Sequence, residues 1–236
     1  MKKILLAFAS VALLQFTSVA QNHHDKNRVE GSGNIITKDF PVQAFDEINS
    51  SGVFNVILSQ GGKEEVKIQA DDNLMDLFEI RNEGSKLLLK MKKETNFNSK
   101  QGIKVYVTFR KLKHMELAMV GNLSAEKNLS FDNLSIDNKS VGTITLDLTA
   151  QTLNLDSKSV GAMKLSGKAE NAVIKNKGVG SLHASDLVVQ KMNIENTGVG
   201  SAEVNAEKEL TVKDSFIGKV KNKGAATAKK LNKTSI

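Results

Sequence analysis

The chain has 236 residues, no cysteine, no tryptophan and a formal charge of +7. Without cysteine there is no disulfide framework, no thiolate chemistry and no lipid attachment through a cysteine. The positive charge is not spread over a face: Lys2 and Lys3 belong to an export signal, six lysines and no acid fall between Lys219 and Ile236, and Gln21 to Gly218 sums to −1, which argues against a nucleic-acid partner.

In chain order, residues 1–20 read as a signal peptide: Lys2 and Lys3 precede an apolar run from Ile4 to Leu14, and Ser18-Val19-Ala20 is a small-x-small cleavage site. The run is shorter than a membrane span needs, and no later run approaches that length, so the mature chain is not expected to be an integral membrane protein. Residues 21–34 open polar and aperiodic (QNHHDKNRVE) and are expected to form a flexible leader. From 35 to 115 the pattern is that of a sheet-rich first half. Val53 to Leu58, Glu65 to Ala70, Lys86 to Met91 and Ile103 to Phe109 are short, branched or aromatic segments separated by Gly, Asn, Asp and Lys clusters. A short helix is expected at Asp72 to Phe78, capped by Asp71 or Asp72.

From 116 to 225 the sequence repeats itself. An apolar residue followed by Gly recurs as Val120-Gly121, Val141-Gly142, Val160-Gly161, Val179-Gly180, Val199-Gly200 and Ile217-Gly218, and LSIDNKSVGTITL, LNLDSKSVGAMKL, AVIKNKGVGSLHA and MNIENTGVGSAEV align without a gap. Seven and five residues before the Val stand Leu134 and Ile136, Leu153 and Leu155, Ala172 and Ile174, Met192 and Ile194, Leu210 and Val212. Three and five after it stand Ile144 and Leu146, Met163 and Leu165, Leu182 and Ala184, Ala202 and Val204. Alternation of this kind is the period of a half-buried strand. One such unit cannot bury its apolar face alone, whereas stacking units about 4.8 Å apart places like on like. The chain is therefore all-β, a parallel β-helix or β-solenoid of about 19–20 residues per coil with a sheet-rich N-terminal capping half.

The repeat Gly fits a bend with positive φ or a close approach of the next coil. The column Asn138, Ser157, Asn176, Asn196, Asp214 fits a stacked polar ladder. The repeat Val is expected to face the stacked interior, so that Val160→Asp costs about 3 to 5 kcal/mol. Seven of the nine aromatic residues after Ala20 precede residue 110, which sets a boundary near Arg110 to Leu117 inside one elongated unit, 35–225, followed by a basic tail, 226–236.

The stretch FDEINSSGVFNVILSQGGKEEVKIQADDNLMDLFEIRNEGSKLLLKMKK from Phe45, followed by the (S/G)-V-G repeats, resembles the auto-transporter adhesin head GIN domain family, common among exported proteins of Bacteroidetes. The resemblance runs over roughly residues 35 to 225 and rests on the F-x-x-I opening, Asn73-Leu74 and the strand Gly84 to Leu89 in that order. It implies a right-handed β-helical architecture on an exported protein, with no catalytic or ligand residues to carry over. The repeats read S-V-G or G-V-G where S-G-S-G is commoner in the family, and no C-terminal translocator barrel is expected.

Few residues invite chemistry. Asp137 and Asp156 share an outward column in adjacent repeats, a spacing that retaining glycoside hydrolases use, but Lys175, Glu195 and Lys213 continue that column with mixed sign. Lys139, Lys158 and Lys177 form a second outward column, able to meet an anionic sugar or phosphate or simply to keep an exposed edge solvated. His23, His24, His114 and His183 offer no preorganised metal spacing, so no metal and no cofactor are expected. The reading is an exported, non-enzymatic, adhesin-like structural or binding module of the periplasm or cell surface, with a surface glycan, protein or envelope component as partner. The alternative is a β-helical polysaccharide lyase or hydrolase acting through Asp137 and Asp156.

Overall fold

The computed structural model describes residues 28–92, 96–215 and 217–231. The export signal, His23, His24, Phe216 and Lys233 lie outside the described residues. The strands are β1 (Val29–Glu30), β2 (Ile35–Phe40), β3 (Glu47–Val53), β4 (Asn55–Gln60), β5 (Glu65–Asp71), β6 (Phe78–Glu83), β7 (Lys86–Met91), β8 (Phe97–Asn98), β9 (Lys104–Phe109), β10 (His114–Val120), β11 (Leu123–Ala125), β12 (Leu129–Asn138), β13 (Ile144–Ser157), β14 (Met163–Asn176), β15 (Leu182–Asn196), β16 (Ala202–Asp214), β17 (Val220–Asn222) and β18 (Ala228–Lys230). A 3-10 turn covers Asp72–Leu77. Among the described residues no helix is long and apolar enough to cross a membrane.

From β12 to β16 each strand pairs in parallel with its successor one coil on, so Leu134, Leu153, Ala172, Met192 and Leu210 lie in one file. The strands from β13 to β16 run for 13 to 15 residues each, and the Val-Gly corner joins one to the next. Every aliphatic residue of the columns seven and five before the repeat Val and three and five after it points inward. Leu134, Ile174 and Ala202 are fully covered, and their column mates are nearly so. The 21-residue coil takes up its two extra residues in the bend between β11 and β12, and the 20- and 18-residue coils absorb the difference within the strand, none of them at the corner. The register between β14 and β15 shifts between Lys164 and Ser166, where the 20-residue coil carries its extra residue. The next pair shifts twice, between Ala184 and Val188 and between Val189 and Lys191. A parallel ladder tolerates such an irregularity where one unpaired residue can bulge outward.

The stack extends further toward the N-terminus than the repeats reveal. β10 pairs in parallel with β12 on one side and β3 on the other, β11 likewise joins β13 to β4, and β7 and β9 extend the same two faces by one more layer. The half expected to be a cap thus contains coils of its own, with Val53 in register with Val120. Capping proper is done by antiparallel strands: β6 on β7, β5 on β9 and β2 on β5. The outermost strand β2 carries Lys38 and Asp39, charges that discourage edge-to-edge pairing. At the other end the short β17 and β18 close the stack on β16 with Lys221, Lys229 and Lys230 exposed.

The aromatic boundary has a packing cause. Phe131 stacks on Phe109 with ring centroids 6.0 Å apart, and its file then continues as Ala150, Ala169, Val189 and Ala206. Among the described residues no ring enters the interior beyond Phe131.

Three expectations are corrected. The repeat valines stack in a file, Val120 to Val141 to Val160 to Val179 to Val199, but they stand outside: Val160 is 51% exposed and its neighbours are close to that. The alternation that places residues three and five after the Val inward places the Val itself, an odd number of steps away across a bend, on the corner. The expected flexible leader is structured from residue 28, because β1 pairs with β8, Gly33 N donates to Asp71 Oδ1 at 2.7 Å and Asn34 Nδ2 donates to Asp72 Oδ2 at 2.9 Å. The short helix is a 3-10 turn with no side-chain cap from Asp71, whose carboxylate serves Gly33 and Ser99 instead.

Candidate functional site

The repeat corner is the one structure that every coil presents to solvent in the same way. It is built on glycine. Gly121, Gly142, Gly161, Gly180 and Gly200 have φ between 133° and 145°, which L side chains rarely adopt, and a Cβ on Gly161 would collide with the Gly142 carbonyl one coil away. Each corner is thus pressed onto its predecessor, and the backbone bond from Gly161 N to Val179 O, 2.9 Å, repeats from coil to coil.

Behind the corner lies the polar ladder. Asn138, Ser157 and Asn196 are buried. Asn138 Oδ1 accepts from Ser140 N at 3.0 Å, Ser157 and Ser159 hydroxyls are 2.9 Å apart, Asn176 Nδ2 donates to Asn196 Oδ1 at 2.7 Å, and Asn196 Nδ2 donates to Gly200 O at 3.1 Å. These bonds hold the bend where the sheet ladder is interrupted, so the corner projects as a rigid ridge.

Outside the corner run three columns. The central one is Val53, Val120, Val141, Val160, Val179, Val199 and Ile217, each about half exposed. Two residues before it stand Ser51, Ala118, Lys139, Lys158, Lys177, Thr197 and Ser215; two after it stand Asn55, Asn122, Thr143, Ala162, Ser181, Ser201 and Lys219. None of these is an acid. Lys139, Lys158 and Lys177 are exposed and, among the described residues, have no carboxylate within 4.0 Å. Elsewhere Lys191 pairs with Glu209 at 2.9 Å, Lys213 with Glu195 at 3.2 Å and Lys223 with Glu203 at 3.4 Å, whereas Lys164, Lys168 and Lys175 on β14 are exposed and, like the corner lysines, have no carboxylate within 4.0 Å among the described residues. Three like charges at coil spacing, without counter-charges, leave a positive strip along an apolar crest.

Asp137 and Asp156 are register partners on β12 and β13, as their spacing implied. The column is longer than the aligned repeats suggest, since Glu116 and Asn49 precede Asp137 in the same register. Counting four residues back from Val120 would have found Glu116. Several of its members are engaged by neighbours: Asn49 Nδ2 donates to Glu116 Oε2 at 2.6 Å, His114 Nε2 lies 3.6 Å from Asp137 Oδ2, and Lys213 pairs with Glu195. His183 lies outward on β15, as expected.

Two hollows flank the connection from β9 to β10. One, of about 410 Å³, is lined by Phe45, Asp46, Glu64, Arg110 and Lys113 among others; its charges neutralise each other, Arg110 on Glu64 at 2.8 Å and Lys113 on Asp46 at 2.6 Å. The hydrogen bond from Lys113, helped by Ser85, holds the Asp46 carboxyl below the usual carboxylate range, which unsuits it as a general acid. The second, of about 350 Å³, has Leu112, Phe131 and Leu134 beneath a rim that includes Gln60, Ser130, Asn133 and Asn154. Among the described residues no group of three His, Cys, Asp or Glu could hold a metal ion.

A family model described as "Putative auto-transporter adhesin, head GIN domain" matches residues 44–226. No curated protein matches the chain. Among solved structures, a "putative adhesin" from Bacteroides fragilis NCTC 9343 is 30% identical, with a TM-score of 0.75, over 86% of this chain and 100% of that one. A "putative lipid binding protein" from Parabacteroides distasonis ATCC 8503, 17% identical, has a TM-score of 0.58 over 87% and 100%. A "putative adhesin" from Parabacteroides merdae ATCC 43184, also 17% identical, reaches 0.55 over the same shares. The last two are likenesses of fold.

Proposed function

Because the chain belongs to the auto-transporter adhesin head GIN domain family, we propose that it is an exported, adhesin-like binding module of the bacterial periplasm or cell surface that performs no catalysis of its own. The observation that supports this reading is the repeat corner, where Lys139, Lys158 and Lys177 stand exposed in one file at coil spacing with no carboxylate within 4.0 Å among the described residues. A row of unneutralised charge at fixed spacing is a recognition element for an extended anionic partner such as a surface glycan or envelope component. The carboxylate column supports contact rather than cleavage, because Asp137 is engaged by His114 and the column changes sign at Lys175.

The test pairs binding with turnover. The mature protein is expected to bind envelope fractions or a glycan array, with Lys139, Lys158 and Lys177 together changed to Gln weakening that binding, and to release no product from any polysaccharide. Protease shaving of intact cells places it outside or inside the outer barrier. Absence of binding to any surface fraction, with attachment unchanged on deletion, contradicts the adhesin reading; turnover lost in Asp156→Asn at unchanged melting temperature contradicts the non-enzymatic one.

A further inference from the structure

Interior packing does not explain the repeat valine. It is exposed in every coil, yet the residue recurs unchanged from Val120 to Val199 and again at Val53, with Ile217 at the last corner. Six register steps of about 4.8 Å make a crest about 29 Å long and one side chain wide. The crest is rigid, since its glycines are locked against one another and its buried amides hold the bend. It is flanked on one side by three unpaired lysines and on the other by small neutral residues up to Ser201, with Lys219 at the last corner; carboxylates stand one column further out, at Glu116, Asp137, Asp156 and Glu195 on the lysine side and at Glu203 on the other.

We propose that this crest docks on an anionic lipid bilayer surface, the valines entering the interface between headgroups and acyl chains while Lys139, Lys158 and Lys177 meet the headgroup phosphates. The proposal deepens the binding-module reading and rests on it. Shape selects the occupant. A convex ridge one residue wide encloses no small ligand and offers neither a flat patch nor a groove to a rigid protein partner. A fluid interface closes around such a ridge without a matching groove. Charge selects the lipid: juxtaposed lysines are drawn to an anionic leaflet, and their aliphatic stems lie along the valines while the ammoniums stay at headgroup level.

The experiment is flotation of the mature protein with phosphatidylcholine vesicles and with vesicles containing phosphatidylglycerol. Binding is expected only to the anionic vesicles and is expected to weaken with salt. Each Lys→Gln change at 139, 158 or 177 is expected to weaken it about fivefold. Changing Val141, Val160, Val179 and Val199 together to Thr keeps the β-branched shape and the melting temperature, and is expected to weaken binding at least about tenfold. Val173→Thr, at an exposed valine on a flat face, should leave it unchanged. Equal binding to neutral vesicles, no loss in the four-threonine protein, or a dimer that those threonines dissolve each overturns the proposal. Should vesicles fail while envelope or glycan binding persists, the lipid proposal falls alone; should both fail, the binding-module reading falls with it.

Discussion

An alanine at position 161 would set its Cβ against the Gly142 carbonyl at a φ of 134°, so two penalties act at one methyl group. Gly161→Ala is expected to cost at least about 2 kcal/mol, read as a lower urea midpoint. Its neighbour behaves in the opposite way. Val160 is half exposed, so Val160→Asp loses only strand preference and is expected to cost about 1 kcal/mol, whereas Leu155→Ala, in the buried file, costs about 2 to 5 kcal/mol. Lys158→Ala, at an unpaired exposed side chain, stays within about 0.5 kcal/mol. If Val160→Asp proved as damaging as Leu155→Ala, the outward corner would be wrong. The glycine requirement was legible in the sequence, because only a special backbone or a close approach explains an invariant glycine among variable neighbours. The orientation of the valine was legible in the period-two alternation, since it lies an odd number of residues from the inward columns on both sides; the expectation of an inward valine follows its apolar type and not that count.

Among the elements, the N-terminal closure depends on Asp71. It is buried at the end of β5 and accepts from Ser99 Oγ at 2.6 Å and Gly33 N at 2.7 Å, tying the start of the described chain and the segment after β8 to one carboxylate. The bond from Ser99, then that from Gly33, holds its pKa below the ordinary 3.8. A carboxyl with a depressed folded pKa contributes stability that is present above the unfolded value and lost as pH falls through the folded one. Stability should therefore decline from about pH 4 downward, and Asp71→Asn should lower stability at neutral pH and flatten that decline, as acid titration of unfolding midpoints would show. A decline as steep in Asp71→Asn would assign it to other carboxylates. The sequence offers Asp71 or Asp72 as a helix cap because Asp before a short apolar run fits that role; the partners of Asp71 lie 28 and 38 residues away, and local pattern cannot reach so far. The same distance hid the coils of β3, β4, β7 and β9, where the 3-10 turn and the antiparallel strands break the repeat in sequence while the register survives in space.

For the molecule as a whole, stability is the sum of coils and the interfaces between successive coils, because each touches only its neighbours. Excising residues 160–178 removes one full coil and joins Ser159 to Val179, which already follows an equivalent turn. The shortened protein is expected to fold with the same strand signature, a smaller urea m-value and a shorter long axis by about 4.8 Å in solution scattering. Excising nine residues instead throws every later file out of register and is expected to abolish cooperative unfolding. This periodicity was the most legible property of the sequence, since each coil states the same inward columns. The identity of a partner was the least legible, since exposed columns obey no packing rule.

The central claim is that the corners of successive coils lie in one straight, outward file from Val53 to Val199. Spin labels on Val53→Cys and Val199→Cys, in a chain with no other cysteine, measure it by dipolar electron resonance. Five register steps predict a narrow distance distribution centred near about 24 Å, with mobile, solvent-exposed labels. A broad distribution, a mean far from that length, or immobilised labels would contradict the account.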